Sequence, residues 1–179
     1  MKRNNTEKVI CKDTSLSTIR KLAPACKCGA CSHGCTMGSG FLAEGDTKRI
    51  ANFLNITEEQ LKEQWLEEVD AFNQKHHRPK ILRASKPYGK CIFYDSEKGC
   101  TVHPVKPLQC KISMGCKPYS EDLHAWFVLN HMIDKNDAES LRQYNIYLET
   151  GGAAIPGGSM EDIMPNNETR EKILNYEVL

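Results

Sequence analysis

A chain of 179 residues suffices for one domain with a real core. Lys and Arg total 24 against 23 Asp and Glu, a net charge of +1 that argues against a nucleic-acid footprint and offers no polybasic membrane anchor. Hydrophobic residues make up 40% of the chain, and no apolar run approaches the roughly 20 residues of a membrane span. The start, Met1 to Glu7, is basic but has no apolar run behind it, so no secretory signal is expected and a cytoplasmic location is.

Nine cysteines are the informative feature. In a reducing compartment thiols stay free, and clustered thiols there read as metal ligands or redox groups rather than disulfides. Residues 1–25 read as an N-terminal extension. It carries Cys11, best explained as apolar filler or a bystander, and a helical turn at Thr18 to Leu22 ended by Pro24.

A dense stretch follows: Cys26, Cys28, Cys31 and Cys35, spaced Cys-x-Cys-x2-Cys-x3-Cys. A thiolate is a soft, charged ligand, and a turn containing Gly29 and Gly34 lets several sulfurs face one centre. Gly38 and Gly40 come next. Without a Lys-Ser/Thr pair they are no phosphate cradle; they are expected to let the backbone approach the thiols and donate N–H groups to sulfur.

Asp46 is expected to cap a helix through Leu54, with Ile50, Phe53 and Leu54 on one side. Thr57 to Gln60 forms a capping box. The helix it opens is expected to run to Phe72, with Leu61, Trp65, Val69 and Phe72 as the apolar stripe and a solvated acidic face. His76 and His77 read as exposed polar residues on a loop rather than ligands. Ile81 to Ala84 reads as a short strand, and Pro87-Tyr88-Gly89 as a turn.

Cys91 to Val102 suggests a small hairpin about Ser96 to Gly99 that brings Cys91 and Cys100 close. Cys110 and Cys116, with Gly115 beside the latter, complete a second group of four thiols. These lack the Cys-x2-Cys knuckles of zinc ribbons. With Cys11 set aside, the eight remaining thiols fit two four-thiolate sites, or one site with spares.

Two helices are expected over Glu121 to Asp134 and Asn136 to Glu149, the second stopped by Gly151-Gly152. His124 and His131 on the first read as satisfied core or surface histidines. The cysteine-cluster domain is placed at 26–150. The segment 151–179 reads as a C-terminal tail that packs on the domain and wraps its surface loosely, with a short helix near Glu168 to Leu174. The fold class expected is α+β, mainly helical, a small single domain with cysteine-rich loops and a short hairpin.

Cys28-Gly29-Ala30-Cys31, Gly40-Phe41-Leu42 with Glu44, Cys91-Ile92-Phe93-Tyr94, Gly99-Cys100-Thr101-Val102 and Lys106-Pro107-Leu108-Gln109-Cys110 resemble the YkgJ-like cysteine-cluster family, described as zinc- or iron-chelating. The likeness runs from 26 to 116. Cys26 is one residue closer to Cys28 than the family spacing, Cys35 stands beyond the usual adjacent position, His103 replaces a Tyr and Lys106 an Arg. The resemblance implies metal ligation by the cysteines. A relative of the module occurs in flagellin lysine methylases.

The residues support three functions. The first is an iron–sulfur protein, in electron transfer or support of a modification enzyme. The second is a structural zinc module that binds a protein partner. The third is a thiol-redox or protein-modifying enzyme, with Cys11 or Cys116 as candidate thiols. The sequence shows no acid–base pair and no nucleophile triad, so it assigns no catalytic residue. Iron–sulfur and zinc both suit the thiols, with iron–sulfur slightly preferred. A protein partner is expected, and neither nucleic acid nor a membrane. The metal candidates are Cys26, Cys28, Cys31, Cys35, Cys91, Cys100, Cys110 and Cys116. The early and late groups are expected to meet in space.

Overall fold

The structure is a computed structural model that describes residues 9–113, 116 and 118–177. Gly115, expected to flank Cys116, and the basic start of the chain lie outside the described residues. The architecture is α+β and mainly helical, as expected, with three small antiparallel strand pairs among the described residues where one hairpin was expected. No helix among the described residues is long and apolar enough to cross a membrane.

Helix α1, Leu16–Leu22, starts where the Ser15 side chain accepts from the Thr18 N–H. The cysteine stretch is not the open turn expected of it. It forms helix α2, Gly29–Met37, with Cys28 as its cap. Gly29 and Gly34 therefore lie inside a helix, and Cys31 and Cys35 sit one turn apart on it.

Helix α3, Asp46–Leu54, begins one residue earlier than expected, with Gly45 in the cap position at φ 78°. The Asp46 carboxylate instead reaches outward. It accepts from the backbone N–H groups of Ala43 and Leu108, each at 3.0 Å, and pairs with Arg49. Ile50 is buried and Phe53 is not.

Helix α4, Glu58–Trp65, opens on the expected capping box of Thr57 and Gln60. It stops at Trp65 instead of continuing to Phe72. Strand β1, Leu66–Ala71, pairs in register with β2, Gln74–Pro79, from Leu66 opposite Pro79 to Ala71 opposite Gln74. Phe72 and Asn73 make the two-residue turn, both with positive φ, the hairpin geometry that matches strand twist. The Phe72 ring packs edge-on against Tyr147, and Asn73 bonds Gln143 and Asp137. These contacts hold a backbone that a bulky residue disfavours. His76 and His77 thus lie on a strand, with His76 against the Phe41 ring.

Strands β3, Ile81–Leu82, and β4, Lys90–Cys91, pair with each other, as do β5, Tyr94–Asp95, and β6, Gly99–Cys100. The Asp95 carboxylate accepts from the N–H groups of Glu97 and Lys98, which shapes the expected Ser96 to Gly99 turn. A 3-10 turn at His103–Val105 leads to α5, Leu108–Ile112.

Helices α6, Ser120–His131, and α7, Ala138–Glu149, lie close to their expected places. After them come α8, Met160–Ile163, and α9, Asn167–Leu174. The tail is not loosely wrapped. Ile155, Met160 and Ile173 are buried in the larger apolar cluster, with Ile10 and Ile19 from the chain's other end. The Tyr144 hydroxyl donates to the Gly158 carbonyl, and the Arg142 guanidinium to that of Ile173. His131 is half-buried against the Trp126 and Phe127 rings. Its Nε2 has no hydrogen-bond partner, so it is not the satisfied histidine expected.

Candidate metal centre

Two elements far apart in sequence build the tightest group of thiols. The segment entering α2 supplies Cys26 and Cys28, α2 itself supplies Cys31, and the connection between α5 and α6 supplies Cys116. The four sulfurs lie within 4.8 Å of one another. Cys31 and Cys116, 85 residues apart, approach to 3.6 Å. A single ion held by four thiolates at ~2.3 Å draws its sulfurs to just under 4 Å apart, so this quartet is sized for one ion.

Backbone N–H groups reach two of these sulfurs. The Cys28 N–H donates to the Cys26 sulfur at 3.4 Å. The exposed Cys28 thiol is pulled down to about 6, first by the Cys31 backbone N–H and then by the Cys26 thiol. Cys31 goes the other way: burial raises it, and its thiol neighbours Cys116 and Cys28 add to the rise. Desolvation also raises Cys116. Cys28 is drawn toward its thiolate while burial holds Cys31 and Cys116 toward their thiols. A thiophilic cation among them removes that conflict, since each proton is replaced by a metal–sulfur bond. The donor set therefore fits zinc or iron. His103, standing where the resembling family has Tyr, places Nε2 3.3 Å from the Cys26 carbonyl and so braces the loop rather than the centre.

The other four candidates lie together as well, and two of them, Cys35 and Cys100, also border a cleft shared with Cys26 and Cys31 of the quartet. Cys35, Cys91, Cys100 and Cys110 line one cavity of 360 Å³. Helix α2 packs against β4 and β6, which carry Cys91 and Cys100. The expected hairpin is present, but Cys91 pairs across to Ile81 while Cys100 pairs with Tyr94. Burial is the first cause that pushes Cys91 and Cys110 up to about 12 and also raises Cys35 and Cys100.

Gly40 does what was expected of it: its N–H donates to the Cys110 sulfur at 3.3 Å. A Cβ there would stand 2.9 Å from that sulfur and 3.0 Å from the Cys110 nitrogen, so only glycine allows the approach. Gly38 has no such neighbour. Lys106 lines this cavity, is 2% exposed, and its charge acts on Cys31, Cys35, Cys91, Cys100 and Cys110. The sequence reading noted Lys106 only as a replacement for Arg. Its position four residues before Cys110 was the available signal.

Early and late cysteines do meet, but each set mixes the two groups. The quartet takes three early thiols and one late, and the other set takes one early and three late. Cys11 joins neither; its sulfur lies 3.5 Å from the Thr14 hydroxyl.

A family model named CxxCxxCC, described as a "putative zinc- or iron-chelating domain", matches residues 25–144. No curated protein and no solved structure matches the chain.

Proposed function

Because the chain belongs to the CxxCxxCC family, we propose that Cys26, Cys28, Cys31 and Cys116 hold a single thiolate-bound ion, zinc or iron, in a cytoplasmic metal-binding module. The observation that carries this reading is the convergence of four sulfurs within 4.8 Å. The ion fastens the segment before α2 to the connection between α5 and α6. An ion enclosed by four thiolates has no open position for substrate, and its binding energy goes into the fold.

A second reading, passage of electrons or metal to a protein partner, draws on the exposure of Cys28 and Cys116. An exposed ligand edge is where a redox partner approaches or an incoming thiol attacks. Support of a modification enzyme belongs to this reading.

The test is anoxic purification followed by assay of zinc, iron and acid-labile sulfide. Stoichiometric metal that is lost in Cys31→Ser together with thermal stability supports the reading. Folded protein that holds neither zinc nor iron sinks it. Zinc favours the structural role, and reversible iron redox favours transfer.

A further inference from the structure

We propose that Cys35, Cys91, Cys100 and Cys110 form a second metal site, separate from the quartet, that takes iron atoms bridged by sulfide rather than a single ion. The inference rests on the metal-binding reading above and extends it to a part of the molecule that reading does not use.

Spacing is the first argument. Among the described residues, the quartet is the one group of three or more thiol, imidazole or carboxylate ligands within 4.8 Å. No three of these other four sulfurs are that close, although all face one cavity of 360 Å³. A single tetrahedral ion needs sulfurs just under ~4 Å apart. A polynuclear centre keeps its thiolates further apart, because several metal atoms and bridging sulfides lie between them.

A backbone donor is the second argument. The Gly40 N–H donates to the Cys110 sulfur at 3.3 Å, an approach that a Cβ at this position would block. A buried thiol that serves only as apolar filler does not need such a donor, whereas a thiolate on a cluster is stabilised by it.

Charge is the third argument. Four thiolates around an iron–sulfide core leave a net negative site. The buried Lys106 faces it, and its charge reaches all four sulfurs. Filling the site releases the thiol protons to solvent as metal–sulfur bonds form. The cluster's iron and sulfide come from outside the chain.

Native mass spectrometry of the whole chain, purified without oxygen, decides the matter alongside iron, zinc and sulfide assays. The expected wild-type mass includes one single ion and one sulfide-bearing centre. Cys116→Ser, at an exposed ligand, removes the single ion and leaves sulfide unchanged. Cys110→Ser removes sulfide and its iron while the single ion stays. A wild-type mass showing one single ion and no sulfide overturns the second site and leaves the metal-binding reading standing. So does loss of the same centre in both variants. Wild-type protein with no metal at all overturns both. The wild-type mass alone is decisive if Cys110→Ser fails to fold.

Discussion

The larger buried cluster draws on α1, α5, α6, α7 and α9, with Phe127, Leu123, Leu129 and Tyr144 almost wholly enclosed. The smaller draws on α3, α4 and the short strands, where Ile50, Leu61, Phe93 and Val102 pack around Cys91. The helical half has long elements and continuous hydrocarbon. The cysteine half takes in Leu66 of the six-residue β1–β2 hairpin, but its thiol-bearing hairpins pair only two residues per strand, too few to hold themselves together. Its stacked Trp65 and Phe93 rings, 5.4 Å apart, help, but most of its cohesion must come from elsewhere. The contrast teaches where the thiols matter: they stand where apolar burial runs thin.

Metal removal is the strongest way to break this comparison. Anoxic chelation is expected to expose the amides of residues 26–110 to hydrogen exchange while α6 and α7 stay protected. The loss in stability should reach several kcal/mol, within the ~10–16 kcal/mol that structural zinc gives small domains. Equal loss of protection in both halves would show one cooperative core.

Phe127→Ala strikes the other half. It should cost about 3–5 kcal/mol, because a fully buried ring leaves a cavity. The metal-to-protein ratio of the folded fraction should not change. Gly40→Ala is smaller and opposite in kind. Its Cβ meets Cys110, so about 1–3 kcal/mol is lost, and whatever Cys110 ligates is lost with it. Metal analysis beside thermal melts separates the two variants.

The smallest effect is electrostatic. Glu67 pairs with Arg83 and Arg78, and its carboxyl is held below the usual range, first by the Arg83 hydrogen bond. A depressed folded value means that its contribution is full above the unfolded pKa of ~4.3 and is lost as pH falls through the folded value. Glu67→Gln should therefore lower stability by about 0.5–1 kcal/mol near neutral pH. The gap to wild type should close as melts are repeated below pH ~4.

The two halves also differed in how far their sequence could be read. Helices α6 and α7 and the Thr57 capping box were plain, because 3.6-residue apolar spacing and caps are local signals. The end of α4 was hidden. Leu61, Trp65, Val69 and Phe72 suit a helix, yet Phe72 and Asn73 turn the chain because their partners lie on α7. The eight thiols were legible as ligand candidates, whereas their division was not. Cys31 and Cys35 are one turn apart on α2, yet they face different sets, each completed by residues more than fifty positions away. Sequence spacing cannot show which distant cysteine will reach a given turn of one helix face.

The 85 residues between Cys31 and Cys116 also bear on the order of events at synthesis. A chain that grows at about 5–20 residues per second emits Cys31 several seconds before Cys116. During that interval three thiols of the quartet are present without the fourth. An ion that arrives early has an incomplete site and can leave again. Once Cys116 arrives, an ion bound as proposed would close a loop containing both thiol-bearing hairpins. For a cross-link of that span, the entropy taken from the unfolded chain is worth about 4–5 kcal/mol. In the proposed module the last cysteine would therefore act as a latch: the segment between is free to rearrange until the ion is bound, and would be held from then on.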